Sequence, residues 1–353
     1  MKRTFKKLCV LALCLTMLIN VTGCGKSVSN PAGSEDVKDT SLDAQGITLT
    51  DQAGRTITLE KPAQTIVSSY YITTYACMAL GLTDRLVGVE SKADTRNIYQ
   101  MAAPELLELP SVGTLKEFNI EATAALKPDL VILPKKLIDS AEALTDLGIH
   151  VLVVYPESQE LLEEMITLIS TACGVEEKGE QLLTYYKESK EEVAQNISNI
   201  TEPLPTVYMA GNSSYLTTAP ANMYQSTLIT LAGGENAASA MDGDYWTEVS
   251  YEDILSMNPE VMIIPSSAEY TVDDIKNDAQ LQEVLAVVNN AVYQMPIGIE
   301  EWDSPIPSGV LGIRWLLSVL HEDQYSFEAM KEDVVSYYET FYGFDLDDSM
   351  ITK

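Results

Sequence analysis

Side chains able to hold a solute gather where short aliphatic runs of this chain end. Tyr70 and Tyr71 follow one such run, Lys92 and Arg96 a second, Lys135 and Lys136 a third, and Lys116 lies in a loop with Gly113 and Thr114. In open α/β sheets a ligand binds beyond the carboxyl ends of the strands, so these loops are where a binding surface is expected. Five cations there, out of 22 Lys and Arg in the whole chain, form a local enrichment. It suits an anionic chelate, a carboxylate-bearing macrocycle or an oxyanion. Arg96 stands out because a planar guanidinium can bind two oxygens at once. For any one lysine, a solvated surface charge is the competing reading. Trp246 and Trp302 lie in loops rich in Pro, Gly and acids, where their rings would offer flat apolar contact to a chelate. The competing reading for both is a place in the core, which is where Trp315, inside an apolar helix, is assigned.

Other chemistries find little support. Only two histidines occur: His150, within an expected buried strand, and His321, at a helix end. Neither has a ligand partner at useful spacing, so binding of a bare metal ion is not expected. A Tyr or Met axial ligand to haem iron stays open. Gly233-Gly234 follows a helix instead of joining strand to helix, so it is no phosphate cradle. No nucleophile elbow or metal-hydrolase motif appears. The chain therefore reads as a binding protein without catalytic residues or a resident cofactor. An envelope enzyme built around a metal cofactor is the alternative, and it would need Cys or His ligands facing the cleft.

The start of the chain sets its location. Met1 to Lys7 is basic, and the fourteen residues from Leu8 to Val21 hold only Thr16 and Asn20 as polar residues. That span is short of the roughly 20 apolar residues of a permanent membrane helix and fits a secretory signal over 1–23. Val21-Thr22-Gly23-Cys24 resembles the bacterial lipobox, which implies acylation of Cys24 and a lipid-anchored mature chain outside the cytoplasmic membrane. Multiple acyl chains would hold it stably. Of five cysteines, Cys9 and Cys14 leave with the leader, and Cys77 and Cys173 lie in apolar helical patterns. That pair could form a disulfide, but two buried free thiols is the simpler reading. All 52 acidic residues lie beyond residue 24 while four of the 22 basic ones precede it, leaving the mature chain near −34. Such a charge argues against nucleic acid and anionic lipid as partners.

Elements of alternating type must position the binding loops. Residues 24–46, poor in aliphatic side chains, read as a lipidated flexible tether. A hairpin over 47–59 opens the folded part. Strands are then expected at 65–68, 86–89, 129–133 and 149–154, with helices near 73–80, 120–126 and 137–147. Two amphipathic helices follow within 159–200, and from 206 the strand–helix alternation restarts. This order is that of covered parallel sheets. It divides the chain into a first α/β lobe (47–156), linker helices (157–202) and a second α/β lobe (203–353).

A repeat ties the lobes together. Asn119-Ile120-Glu121 begins a segment ending in Lys127-Pro128-Asp129 and a buried strand closed by Pro134. With an offset of 131 residues, Ser250-Tyr251-Glu252 begins another that ends in Asn258-Pro259-Glu260 and a strand closed by Pro265. Each copy has a polar helix cap and an acid in the first turn, where the helix dipole favours negative charge. These segments resemble bacterial ABC-transporter substrate-binding proteins, in the subfamily that handles iron–siderophore complexes, haem and cobalamin. Residues 80–89 and 231–236 match further landmarks, and the resemblance runs from about 47 to 344. It implies an α/β fold of two Rossmann-like lobes joined by a single long α-helix, with ligand in the cleft between them. Tyr70, Tyr71, Arg96, Lys116, Lys135, Trp246 and Trp302 are then the expected ligand contacts, Trp302 within a W-x-S-P loop like those lining family clefts. The resemblance also implies that Glu121 and Glu252, one per lobe, dock on the two halves of a permease that works with its ATPase. A ferric siderophore is the first expected cargo, then haem or cobalamin, then molybdate or tungstate. A monomer is expected.

Overall fold

Threonine alternating with aliphatic residues makes β1 (Ile47–Thr50) and β2 (Thr56–Leu59), an antiparallel hairpin whose aliphatic side chains face inward. The computed structural model describes residues 46–353 apart from Asn199, Glu202 and Asp244. The expected signal peptide, Cys24 and all but the last residue of the tether lie outside the described residues.

The first lobe continues with β3 (Ile66–Ser68), α1 (Tyr71–Ala79), β4 (Leu86–Gly88), α2 (Asn97–Ala102), α3 (Ile120–Ala125), β5 (Leu130–Pro134), α4 (Ile138–Asp146) and β6 (Val151–Val154). Its sheet is parallel in the order β4-β3-β5-β6, and every residue of β3, β5 and β6 is buried. Uninterrupted apolar runs are what a sheet covered on both faces requires. Beyond Pro156 the chain enters α5 (Gln159–Cys173) and α6 (Glu176–Ile197), separated by Gly174 in the left-handed region at φ 64°. As the sequence leads one to expect, this stretch holds two helices in sequence, and α6, with 22 residues, is the longer. α5 packs on β1 and α1, whereas α6 packs on α5 and on helices of the second lobe.

That lobe comprises β7 (Thr206–Met209), β8 (Thr217–Thr218), α7 (Tyr224–Leu231), β9 (Glu235–Asn236), β10 (Thr247–Glu248), α8 (Tyr251–Met257), β11 (Val261–Ile264), α9 (Val272–Lys276), α10 (Leu285–Val288), β12 (Val292–Gln294), α11 (Gly309–Leu320) and α12 (Phe327–Tyr342). Its parallel sheet runs β12-β11-β7-β9, and β8 pairs antiparallel with β10. The described residues form one compact unit. No helix among the described residues is long and apolar enough to cross a membrane.

The repeat is visible in the backbone. Asn119 caps α3 by accepting from Ala122 N–H, and Ser250 caps α8 by accepting from Asp253 N–H. The turn after each helix places a non-glycine residue in the left-handed region, Lys127 at φ 50° and Asn258 at φ 42°, again 131 residues apart. Each then enters a strand at the centre of its sheet, β5 and β11.

Buried Arg314 on α11 fastens the second lobe to α6. Its guanidinium donates to Ser189 and Glu192 on α6 and to Tyr325 and Asp333, with distances from 2.6 to 3.3 Å. Cys77 and Cys173 are free thiols, and burial pushes both up, Cys173 to about 12. His150 is exposed just before β6 and not within a buried strand as expected, because the strand starts one residue later. His321 ends α11, and its Nε2 lies 2.9 Å from the Gly233 carbonyl oxygen.

Candidate functional site

The loop that leaves β3 becomes the amino end of α1 and carries Tyr70, Tyr71 and Tyr75. These rings stack edge to face, Tyr70 on Tyr71 at 5.1 Å, Tyr71 on Tyr75 at 5.5 Å and Tyr75 on Tyr99 at 5.7 Å. The turn is held by hydroxyls: Thr73 Oγ1 donates to the Tyr70 carbonyl at 2.8 Å, and Ser68 and Thr73 hydroxyls meet at 2.6 Å. The ladder therefore runs from a half-buried end, Tyr70 and Tyr71, to a fully buried one, Tyr99. Burial pushes the Tyr70, Tyr71 and Tyr75 hydroxyls well up, so they act as neutral donors.

At its open end the ladder faces the second lobe across a space of about 370 Å³. Tyr70, Tyr71, Tyr155, Lys136 and Glu157 wall it from one side, and Tyr224, Gln225, Tyr245 and Trp246 from the other. Lys136 Nζ lies 5.5 Å from the centre of the exposed Tyr245 ring, a cation–π contact between lobes. A second opening of about 570 Å³ adjoins it on the first lobe, lined by Tyr70, Tyr71, Glu90, Lys92, Arg96 and Lys116 among others.

Arg96 sits where these surfaces meet. Its guanidinium carbon lies 3.9 Å above the Tyr71 ring. Nη1 donates to Glu301 Oε1 at 2.8 Å, and the Tyr75 hydroxyl donates to Glu301 Oε2 at 3.1 Å. Glu301 belongs to the second lobe, so the residue expected to meet a ligand meets a carboxylate of its own chain. Glu90 Oε1 stays 3.7 Å from Nε, too far for a hydrogen bond. Glu90 is itself satisfied by Thr74 at 2.8 Å and Tyr99 at 2.7 Å, and its burial pushes the carboxyl up.

Flanking Glu301, Glu300 and Asp303 are buried carboxylates. Glu300 accepts from the Tyr338 hydroxyl at 2.7 Å and the Tyr342 hydroxyl at 3.0 Å. Burial raises Glu300 to about 7, with the charge of Glu301 adding to the effect. Asp303 is likewise pushed up to about 7, first by burial and then by Glu301.

Of the expected contacts, the structure gathers Tyr70, Tyr71 and Trp246 around one space and places Arg96 beside them. Lys116 is exposed on the rim of the first-lobe opening. Lys135 is turned aside, its Nζ 4.8 Å over the Tyr155 ring. Trp302 is a correction: it is 1% exposed, and its Nε1 donates to the Tyr338 hydroxyl at 2.9 Å, so it is core and not cleft. An acid- and Pro-rich loop can be buried when tyrosine hydroxyls receive its carboxylates, which loop composition did not reveal. Glu121 and Glu252 are exposed in the first turns of α3 and α8, away from the cavities described. Sequence reasoning missed Tyr75, Tyr155, Tyr224 and Glu301. The signal for Glu301 was three acids within residues 300–303, which pure solvation would not crowd beside a Trp.

Comparison with known proteins fits this geometry. The periplasmic binding protein profile matches residues 66–297. The molybdate-binding protein MolA of Haemophilus influenzae is 26% identical over 322 residues, covering 83% of this chain and 90% of that protein. An uncharacterized ABC transporter substrate-binding lipoprotein of Bacillus subtilis, YvrC, is 26% identical over 313 residues, covering 82% and 90%. A periplasmic solute binding protein of Veillonella parvula superposes with a TM-score of 0.77 at 28% identity, covering 86% of this chain and 95% of that one. With a profile match over most of the chain, two parallel-sheet lobes and a cleft between them, the chain belongs to the periplasmic binding protein family and is an extracytoplasmic solute-binding protein of an ABC transporter.

Proposed function

We propose that this protein captures a metal chelate, a ferric siderophore before haem or cobalamin, and hands it to an ABC permease while anchored to the membrane through acylated Cys24. One observation carries the choice of cargo: six of the 13 residues around the interlobe space of about 370 Å³ are aromatic, Tyr70, Tyr71, Tyr155, Tyr224, Tyr245 and Trp246. Aromatic faces suit a broad, flat or polycyclic solute. A tetrahedral oxyanion would fill a small part of that space, given about 30 Å³ for a water in the liquid. The lining charges, Lys136 and Glu157, offset each other, so the space itself offers little for a bare anion. Molybdate is the second reading, favoured by the likeness to a molybdate-binding protein over most of the chain. The test is thermal unfolding of the purified protein with ferric siderophores, haem, cobalamin and molybdate. A rise of several degrees is expected with a chelate and none with molybdate, since a ligand that binds the folded state raises its stability. A rise with molybdate alone would overturn the chelate reading.

Docking is proposed to use Glu121 and Glu252, whose exposed carboxylates stand at matching positions of the two repeats. Charges at a rim set register and on-rate more than affinity. Glu121→Lys with Glu252→Lys is expected to abolish uptake in cells and leave solute affinity unchanged. Lost solute binding would place both residues in the cleft instead.

A further inference from the structure

The cleft closes on one of its own carboxylates. Glu301 presents both oxygens to the first lobe, one to Arg96 Nη1 and one to the Tyr75 hydroxyl. Two oxygens on two donors is how a bound carboxylate is held. The side chain is aimed there by its neighbours: Glu300 is tied to Tyr338 and Tyr342, and Trp302 to Tyr338, all in the core of the second lobe. Glu301 can therefore leave by rotating its own side chain without unwinding the loop. Its hold is also incomplete, because Arg96 Nε is buried without a hydrogen-bond partner among the described residues. Glu90 Oε1 stands 3.7 Å from that Nε, so an incoming carboxylate would take the Nη1 and Tyr75 positions that Glu301 vacates. Tyr75, Arg96 and Glu301 together line an opening of about 140 Å³, from which a carboxylate would approach.

We propose that Glu301 is a built-in substitute ligand: it fills a carboxylate receptor made by Arg96 and Tyr75, and a solute bearing a carboxylate takes that receptor by displacing it. The inference rests on the solute-capture reading and adds the chemical group by which the cargo is recognised. It also makes capture break a tie between the lobes, since the residues joined lie 205 positions apart in the chain.

Calorimetric titration with metal-free citrate as carboxylate probe and molybdate as control tests this in the unsubstituted protein, Glu301→Gln and Glu301→Gln with Arg96→Gln. Glu301→Gln keeps the side chain's shape, and an unchanged thermal midpoint certifies its fold. The expected result is citrate binding at least about tenfold tighter in Glu301→Gln, with the gain lost when Arg96 is also replaced. Equal or weaker citrate binding in Glu301→Gln, a gain that survives the loss of Arg96, or a gain for molybdate alone would each overturn the proposal. A chelate that stabilises the unsubstituted protein while citrate binding ignores Glu301 would sink this inference and leave solute capture standing.

Discussion

Arg314 and Arg96 are both largely withdrawn from water and both face carboxylates, yet their surroundings differ. Every nitrogen of Arg314 has a partner, and those partners come from α6, from α12 and from the segment between α11 and α12. Arg96 leaves Nε without a hydrogen bond, approaches Glu90 only to 3.7 Å, and otherwise bonds the Tyr75 hydroxyl at 3.4 Å and one carboxylate from the opposite lobe. A buried group with all its hydrogen bonds made fixes structure, whereas an unmet donor marks a place where another partner can be accommodated. The second lobe's arginine holds parts that need not move apart, while the cleft's arginine holds parts that exchange.

Breaking the two networks should separate these roles. The largest effect is expected for Arg314→Met, which strands Ser189, Tyr325 and Asp333. Both carboxylates remain partly in water, so the cost comes mainly from the buried hydroxyls left unpaired, about 1–3 kcal/mol, and the midpoint of thermal unfolding should drop by a few degrees. A drop under one degree would show that Arg314 is no clamp.

A second effect is expected from pH. Glu300 and Asp303, with ordinary values of 4.5 and 3.8, are both raised to about 7 in the folded chain. The folded state therefore favours their protonated forms. Their stabilising contribution is whole below about pH 4 and is lost as pH rises toward and through 7. Thermal midpoints should fall from pH 5 to pH 8, and Glu300→Gln should flatten that fall. A midpoint that rises over this range in the unsubstituted protein would contradict the assignment.

The smallest stability effect is expected for Arg96→Met, about 1 kcal/mol or less, because Arg96 is itself more exposed than Arg314 and makes fewer hydrogen bonds. Its loss should instead appear in solute affinity. A destabilisation as large as that of Arg314→Met would erase the distinction between the two arginines.

Much of the architecture was legible because it is written locally. Aliphatic runs such as Leu130–Pro134 and Val151–Val154 announce doubly covered strands. Asn119 and Ser250 announce helix starts, and the repeated Pro-acid turn marks the paired lobes. Tyr70, Tyr71 and Trp246 could be placed by the rule that loops at strand ends bind. What escaped was non-local. Nothing near Arg96 indicates that its partner is Glu301, and nothing near Trp302 indicates that Tyr338 will receive its indole N–H. Arg314 lies in an otherwise apolar helix, where only the folded chain brings Glu192 and Asp333 to it. Pairings across the chain depend on tertiary packing, which spacing along the sequence does not encode.

The unequal settings of the three tryptophans give the cleft an optical reporter. Trp302 and Trp315 are enclosed, and each indole N–H is committed to a fixed acceptor, the Tyr338 hydroxyl and the Thr352 carbonyl. Trp246 is half-buried on the cleft wall and borders the space a solute would enter. The two enclosed rings do not sense solvent displacement in the cleft, so a solute that does not absorb tryptophan emission would change the fluorescence chiefly through Trp246, whereas a chromophoric chelate would quench all three rings by energy transfer. Occupancy of the cleft can then be followed in real time on the native protein without attaching a dye.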